Sequence, residues 1–243
     1  MYKRHASLNQ PENSLQKMWR YLTFEKLMQI INDSALYFSH ISEHDDLWEG
    51  LLTTRTEEKL FKIEYNKYKN AKTANSSVKH YKEHKDSFFF NCWHMNDNES
   101  YLMWRVYANK ECAIQTNYER LTASFGDDPP EINGCVINYI DYDREDFPLG
   151  NVFTSLCYKD LPYKDEKEFR LLYWSLNLPN QNFQDREGGI KIKVNSNMLI
   201  ESIYINPAGE IHNEKIEELK KAIKNSKLSC EIKHTRIKEK KRV

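Results

Sequence analysis

The stretch FFFNCWHMNDNESYLMWRVY, residues 88–107, contains the sharpest change of pattern in the chain. It opens with the aromatic run 88–90, and a short run of this kind favours a buried strand over a helix. The polar residues that follow predict that this strand delivers Trp93 and His94 into a loop. After Asn98, a residue type that commonly caps helices, apolar residues recur at helical spacing. The predicted strand, loop and amphipathic helix suit either one wall of a pocket or a corner of an ordinary core.

The segments on both sides of this stretch predict helices and strands that do not alternate regularly. Strands are predicted at 18–22, 35–39, 112–116, 135–140, 169–174, 190–194, 200–205 and 230–232, and helices at 24–31, 118–124 and 213–224. Such a mixture, rather than a strict strand–helix repeat, is typical of α+β folds. We therefore expect one α+β domain over residues 1–243, with a mixed or antiparallel sheet flanked by helices.

Three segments differ from the rest in composition. Residues 56–86 are rich in lysine, glutamate, asparagine and tyrosine with a partial helical stripe. They predict a polar helical insertion or a lid, with a loop at 71–77 between two helices. Residues 1–14 predict a flexible lead-in, and residues 233–243 predict a basic, solubilising tail.

The charge balance and the cysteines restrict the class of protein. Lysine plus arginine number 36 and aspartate plus glutamate number 36, so no global field attracts the chain to nucleic acid or a membrane. Any anion site must therefore be local. The five cysteines are dispersed without a C-x-x-C pair, which favours a reducing compartment over a disulfide framework or a zinc ribbon. The first ten residues lack an apolar signal core, so we expect a soluble, cytoplasmic protein.

Two histidine clusters raise the question of a metal site. His80, Glu83 and His84 match H-x-x-E-H, in which two histidines on one helix face bind zinc. The match lies in a lysine-rich stretch with little apolar wall, so the alternative is a solvated helix face, and we expect no metal. The segment 40–46 (HISEHDD) is either a polar loop or the rim of a pocket. Because glycine is scarce, the sequence does not predict a glycine-rich loop whose backbone N–H groups bind phosphate.

His94 is also a candidate general acid or base, because histidine titrates near neutrality. Together with Glu99 and a basic groove it would suit a metal-independent nuclease. The alternative is a structural histidine that is hydrogen-bonded at the end of a strand. Trp104 suits either stacking on a ligand ring or packing in the core.

Several short motifs occur in an order that resembles a bacterial family of domains of unknown function, family 2971. They are W-R-Y at 19–21, L-Y-F-S at 36–39, C-W-H at 92–94, M-W-R-V-Y at 103–107 and E-K-E-F-R at 166–170. The resemblance covers nearly the whole chain, from Trp19 to Ile232. The usual family loop F-N-D-P-F-E is replaced by the divergent segment 43–49, so a role built on its turn geometry does not carry over. The family has no established activity.

The same motifs are distantly similar to ADP-ribosyltransferases of the Arg–Ser–Glu type, which place these residues around NAD. The corresponding residues are Arg20, Ser39 and Glu168, with Glu166 completing an E-x-E pair. The resemblance implies that the arginine fork holds the phosphates bidentately and that the serine orients the nicotinamide-side ribose. Glu168 would stabilise the positive charge that develops as nicotinamide leaves. Alternatively, Glu168 and Arg170, on one side of a strand, pair with each other at the surface.

We therefore predict a cytoplasmic, effector-like enzyme that uses NAD or a related nucleotide, with a protein or nucleic-acid acceptor and no membrane partner. The predicted catalytic residues are Arg20, Ser39 and Glu168, which must converge in one cleft. The predicted cofactor-binding residues are Arg20, Tyr37, Ser39, Trp93, His94, Trp104 and Glu166. The alternative is a noncatalytic nucleotide- or nucleic-acid-binding module of a phage-defence or toxin–antitoxin system, which needs only an aromatic pocket with satisfied polar groups.

Overall fold

The computed structural model describes residues 1–44, 46, 48–107, 111–127, 130–175, 188–206 and 213–237. They form an α+β fold in which helices flank a mixed, mostly antiparallel sheet, so the predicted fold class is confirmed. None of the helices in these ranges has both the length and the apolar character that a membrane crossing requires.

The strands, in chain order, are β1 (Lys17–Leu22), β2 (Ala35–His40), β3 (Phe88–Met95), β4 (Cys112–Asn117), β5 (Ile132–Val136), β6 (Asn138–Ile140), β7 (Tyr158–Asp160), β8 (Glu168–Trp174), β9 (Ile190–Lys193), β10 (Ser202–Ile205) and β11 (Glu231–His234). The helices are α1 (Phe24–Asp33), α2 (Thr54–Tyr68), α3 (Ala71–His84), α4 (Tyr101–Val106), α5 (Tyr118–Ala123), α6 (Ser196–Leu199) and α7 (Asn213–Asn225).

The main sheet is arranged around β3. Its order is β11-β10-β4-β1-β3-β2-β9, and β8 pairs with both β3 and β5. Along one edge, β3 pairs with β8 from Phe88 to His94. Along the other edge it pairs first with β2, at Phe89 and Phe90, and then with β1, at His94 and Met95. On that edge, β1 and β2 therefore diverge beside residues 91–93, and the gap between them positions the site described below.

The aromatic run that begins β3 is buried on both faces of the sheet. Because successive strand side chains alternate, Phe89 packs into one hydrophobic cluster while Phe88 and Phe90 pack into another. Helix α1 covers the face that contains Phe89. Its first turn is capped by Thr23, and its buried side consists of Phe24, Leu27, Ile30 and Ile31. Removal of these side chains from water is the main favourable term in the folding of such a layer.

The central stretch differs from its prediction in two respects. Strand β3 continues to Met95, so Trp93 and His94 lie within the strand and not in a loop. Backbone pairing with β8 extends the strand through this polar segment, and such long-range pairing leaves no trace in the local sequence. Helix α4 is capped by Ser100 and not by Asn98, because the Ser100 side chain accepts a hydrogen bond from the N–H of Met103.

The polar segment 56–86 contributes most of a helical hairpin, α2 and α3, so the insertion is helical as predicted. The predicted loop at 71–77 is wrong, because these residues form the first half of α3. Lys69 takes a left-handed conformation that ends α2. Asn70 then caps α3 by accepting a hydrogen bond from the N–H of Lys72, so two residues are enough for the turn.

Both terminal segments have more contacts than the predicted lead-in and tail. The N–H of Lys3 donates to the carbonyl of Ile132, and Leu8 is buried, so the first residues lie along β5. At the other end, β11 pairs in parallel with β10 and Thr235 is buried. The start of the predicted tail is therefore part of the sheet, and residues 238–243 lie outside the described residues.

Candidate functional site

A cavity of about 230 Å³ lies where β1 and β2 diverge beside β3. Three strands bring the predicted catalytic residues to it: Arg20 comes from β1, Ser39 from β2 and Glu168 from β8. The Cα atoms of His94 and Glu168 are direct cross-strand partners, so His94 lies beside the same carboxylate. The predicted convergence of Arg20, Ser39 and Glu168 on one cavity is therefore found.

Arg20 spans the gap between the diverging strands. Its Nη1 donates a hydrogen bond to the carbonyl of Cys92 at 2.9 Å, and its Cζ lies 5.9 Å from the ring centroid of Trp93. Among the described residues, Arg20 has no carboxylate in ion-pair range, and its buried Nε has no hydrogen-bond partner. Burial lowers the pKa of Arg20 from its ordinary value. Within the described part of the chain, this positive charge therefore lines a cavity without a counter-ion.

On the opposite wall, Arg170 is the centre of a buried ion-pair network. Its Nε and Nη2 donate to the two oxygens of Glu168 at 2.6 and 3.1 Å. Its Nη1 donates to Glu49 at 2.5 Å and to the carbonyl of Leu156 at 3.0 Å. Arg170 has no exposed surface, and both carboxylates are buried. The alternative of a surface pair between Glu168 and Arg170 is therefore wrong.

Lys159 connects this network to a third carboxylate. Its Nζ lies 2.7 Å from Glu166, 3.8 Å from Glu168 and 3.9 Å from Glu49. The hydroxyl of Tyr107 donates to the other oxygen of Glu166 at 2.5 Å. Three carboxylates thus face two cations, Lys159 and Arg170, which leaves the network with one net negative charge opposite Arg20.

The network keeps Glu168 ionised. Burial alone would raise the pKa of Glu168, but the charge and hydrogen bonds of Arg170, with the charge of Lys159, lower it to about 2. For Lys159, burial acts to lower the pKa, and the carboxylates of Glu168 and Glu49 reverse that effect and raise it. At neutral pH both side chains are therefore charged, because the pKa of each is far from 7.

His94 lines the cavity as a neutral base with a fixed tautomer. Its Nδ1 lies 2.6 Å from the carbonyl oxygen of Glu166, and a carbonyl can only accept, so Nδ1 carries the proton. Burial lowers the pKa of His94 below its ordinary value. The other ring nitrogen, Nε2, is buried and has no hydrogen-bond partner in the described part of the chain. His94, a residue of the cavity lining, therefore carries a buried acceptor nitrogen without a partner among the described residues.

Ser39 and His44 form a pair on the β2 side of the cavity. The Oγ of Ser39 lies 2.9 Å from Nε2 of His44 and 3.4 Å from the carbonyl oxygen of Phe90. Burial lowers the pKa of His44, and the nearby charge of Arg170 acts in the same direction. The segment 40–46 therefore supplies a cavity residue, as the pocket-rim alternative requires, while Asp45 lies outside the described residues.

Trp93 and Glu166 also line the cavity, but Trp93 does not offer a ring face to a ligand. Its side chain is 1% exposed, and its Nε1 donates to the side-chain oxygen of Asn91 at 2.7 Å. The ring belongs to the core cluster beneath the sheet. The Arg20 guanidinium lies over this ring, so the ring packs against a protein side chain.

Two of the predicted site residues lie outside this cavity. Trp104 is buried against Tyr21, with ring centroids 5.1 Å apart, so it belongs to the core and not to the pocket. Tyr37 is partly exposed and donates to Glu43 at 3.0 Å while it accepts from the N–H of Gly189. It lines a second, neighbouring cavity. The residue types of Tyr37 and Trp104 do not indicate that they lie outside the cavity, because their positions depend on the packing of β2 and α4 against other elements.

Glu99 is engaged in a structural role. One oxygen accepts from the N–H of Arg236 at 3.0 Å, and the other accepts from the hydroxyl of Thr235 and from Trp104 Nε1. It ties the C-terminal segment to the start of α4 and does not line the cavity with His94. The arrangement that a His94–Glu99 nuclease requires is therefore not found.

The polar hairpin contributes neither a metal site nor a cover for the cavity. His80 and His84 lie on one side of α3 with ring centroids 6.0 Å apart, but within the described ranges no group of three or more potential ligands is placed to hold a metal. The hairpin packs on the segment 141–151, where the hydroxyl of Tyr81 donates to the carbonyl of Asn151 at 2.8 Å. It lies away from the residues that line the cavity.

Sequence reasoning missed three residues of the site: Glu49, Tyr107 and Lys159. They come from a loop, the end of α4 and β7, and only tertiary folding brings them to β8. Lys159 is one of many lysines, and only its burial distinguishes it from the rest. Glu49 is the last residue of the divergent segment 43–49, to which no role was carried over. A buried charge can be recognised only once its partners are known.

The groups around Arg20 could hold an anion. Among the described residues, Arg20 has no carboxylate partner and Nε2 of His94 has no hydrogen-bond donor. The cavity of about 230 Å³ is smaller than the roughly 300 to 1,000 Å³ of most small-molecule sites. A second cavity of about 390 Å³ shares Arg20, Leu22 and Lys26 with it. The two cavities are therefore neighbours that share part of their lining.

Comparisons with models of protein families, with curated proteins and with solved structures give no match to this chain. The two resemblances that the motifs indicate therefore stay predictions. The functional argument rests on the chemistry of the cavity itself.

Proposed function

We propose that this chain binds NAD or a closely related nucleotide in the cavity and transfers its ADP-ribosyl group, in the cytoplasm, to a protein or nucleic-acid acceptor. The observation that carries the proposal is the position of Arg20, Ser39 and Glu168. They come from three strands and line one cavity, as the resemblance to Arg–Ser–Glu transferases requires.

Arg20 is the group that holds the phosphates. Its guanidinium is partly buried without a carboxylate, and a bound phosphate would supply the missing counter-ion. Arginine suits this role because its planar fork matches two phosphate oxygens at once. The hydrogen bond from Nη1 to the Cys92 carbonyl fixes the side chain in the gap before any ligand arrives.

Glu168 acts mainly through its charge. The carboxylate is ionised, and Arg170 holds both of its oxygens in place. A fixed negative charge in a buried site stabilises the positive charge that develops on the ribose as the nicotinamide leaves. Ser39 lies on the adjoining wall, where its hydroxyl can orient the ribose.

His94 takes the proton of the acceptor. A hydroxyl or amine that attacks the ribose must lose a proton, and Nε2 of His94 is an unprotonated nitrogen without another partner. Its lowered pKa keeps the imidazole neutral and able to accept a proton at neutral pH.

The test is incubation of the purified protein with NAD, alone and with bacterial lysate, while nicotinamide release and label transfer are followed. We expect turnover by the wild type and a loss of about a hundredfold or more in Glu168→Gln, which keeps the size of the side chain and removes its charge. The control is Arg144→Gln, because the Arg144 side chain is 82% exposed and far from the network. Circular dichroism establishes that each variant is folded.

Two results would count against the proposal in different ways. If the folded wild-type protein does not turn over NAD, even with lysate, the proposed catalytic activity is rejected. Release of nicotinamide at the same rate by folded Glu168→Gln would leave the activity standing and reject Glu168 as its centre.

A noncatalytic nucleotide-binding module is the second candidate. It is favoured because every oxygen of Glu166 and Glu168 already accepts a hydrogen bond from a protein side chain. Both oxygens of Glu168 already accept from Arg170, and both oxygens of Glu166 are held by Lys159 and Tyr107. A purely structural network would look the same. Binding of NAD without nicotinamide release or label transfer would identify this alternative.

A further inference from the structure

We propose that the site has two lobes, and that its ligand carries a diphosphate at the waist between them. The proposal rests on the proposed function and specifies its substrate class: a dinucleotide or an ADP-ribose-like molecule rather than a mononucleotide. The first lobe is the cavity beside Glu168, and the second is the cavity of about 390 Å³ between α1 and β2.

The waist is formed by the residues that line both lobes, which are Arg20, Leu22 and Lys26. Arg20 has no ion-pair partner among the described residues, and Lys26 is exposed and likewise has none there. The other cations of the two lobes are compensated: Lys191, for example, lies 2.6 Å from Asp33. Two uncompensated positive charges thus meet where the lobes join, which suits a group with two negative charges.

The second lobe has the size and chemistry for a nucleoside. Tyr37 and Ile30 supply apolar wall, and the exposed part of the Tyr37 ring can stack on a base. Glu43 and Asp33 supply carboxylate oxygens that can accept from ribose hydroxyls or an exocyclic amine. The lobe opens on the side of α1, where Gln29 is exposed and forms part of its lining.

The experiment measures calorimetric affinities of ADP-ribose, AMP and ribose 5-phosphate. ADP-ribose spans both lobes and lacks the nicotinamide, so it is not consumed. Because its two halves are linked, we expect it to bind at least about tenfold more tightly than AMP or ribose 5-phosphate. Lys26→Gln, which removes a waist charge, is expected to weaken ADP-ribose more than it weakens ribose 5-phosphate.

A filling substitution tests the second lobe directly. Gln29→Trp places a large ring in this lobe from an exposed helix position. We expect it to weaken ADP-ribose by about tenfold, or 1.4 kcal/mol, and to leave ribose 5-phosphate within about twofold. The matched control is Asn32→Trp, which is exposed on the same helix and lines neither lobe.

Each outcome separates this proposal from the proposed function. Tight ADP-ribose binding that Gln29→Trp weakens, without any consumption of NAD, would support the two lobes and reject the transferase. NAD consumption that Gln29→Trp leaves unchanged would support the enzyme and overturn the second lobe. ADP-ribose that binds no more tightly than AMP, or that does not bind, would overturn the two-lobed site.

Discussion

The two walls of the cavity satisfy their charges in opposite ways. The ionic wall, on the β8 side, consists of Lys159, Glu166, Glu168 and Arg170, and Glu49 is paired with Arg170 outside the cavity lining. The three carboxylates and two cations of this network pair at distances between 2.5 and 3.9 Å and leave one net negative charge. The open wall consists of Arg20 and Lys26, which have no carboxylate partner in the described ranges. The cations of the first wall are paired with carboxylates, and within the described residues those of the second wall are not.

This difference separates structural residues from ligand-binding residues. Removal of one member of a satisfied buried network leaves its partners unpaired, so such a change mainly affects folding. Removal of an uncompensated cation relieves a desolvation penalty, so it should hardly destabilise the fold and should mainly weaken the binding of an anion. The predictions below test this assignment of the two walls.

The largest effect is expected for Arg170→Met. It removes the centre of the ionic wall and leaves Glu168 and Glu49 buried without their main partner. We expect the free energy of unfolding to fall by about 3 to 5 kcal/mol, measured by urea denaturation. Arg144→Met, on the exposed surface, is the control, with an expected change within about 0.5 kcal/mol. A loss in Arg170→Met as small as that of the control would contradict the structural role of the network.

A second prediction concerns the acid stability that Glu168 provides. Its pKa is lowered from 4.5 to about 2 in the folded protein, so the unfolded chain binds its proton first as pH falls. The stabilisation is therefore complete above pH 4.5 and is lost as pH decreases towards 2. We expect the difference in unfolding free energy between wild type and Glu168→Gln to shrink across this window. A difference that stays constant from pH 6 to pH 2 would show that Glu168 is not held ionised.

Glu99→Gln tests a residue just before α4 that we expect to stabilise the fold without contributing to nucleotide binding. Glu99 accepts hydrogen bonds from Trp104, Thr235 and Arg236, away from the cavity. We expect a loss of stability of about 1 to 3 kcal/mol, because an amide replaces a charged acceptor of three donors. Nucleotide affinity should stay at the wild-type value in calorimetry. A variant with normal stability and weakened binding would place Glu99 in the site after all.

The smallest effect is a spectroscopic one at His94. Nitrogen NMR is expected to show the Nδ1-protonated neutral tautomer and a titration midpoint below the ordinary 6.5. Comparison with His94→Gln assigns the signal. Addition of ADP-ribose should shift the Nε2 resonance, because His94 lines the ligand cavity. A protonated Nε2 in the neutral ring would contradict its role as the proton acceptor.

The sequence predicted the fold class because the apolar runs and their caps are local signals. The buried strand at Phe88 and the helix predicted at 24–31 are examples. It also predicted six of the cavity residues, because the motifs that carry Arg20, Ser39 and Glu168 survive in order along the chain.

Features that depend on distant pairing were not predictable. The extension of β3 through His94 depends on β8. The environment of Lys159 depends on Glu49, which is distant in the sequence, and on the way β7 and β8 fold back to bring Glu166 and Glu168 to it. The displacement of Tyr37 to the second lobe and of Trp104 to the core depends on where β1 and β2 separate. The local sequence pattern does not indicate where β1 and β2 separate.

The most direct test of the central claim is a calorimetric titration of ADP-ribose, which is not consumed, into wild-type protein and Arg20→Gln. The open wall predicts that the wild type binds ADP-ribose and that the variant binds at least about tenfold more weakly, since a charge-assisted hydrogen bond contributes about 1.5 to 3 kcal/mol. Both proteins should unfold at nearly the same urea concentration. Equal affinity in the two proteins, or no binding by the folded wild type, would contradict the assignment of Arg20 as the ligand-binding charge of this cavity.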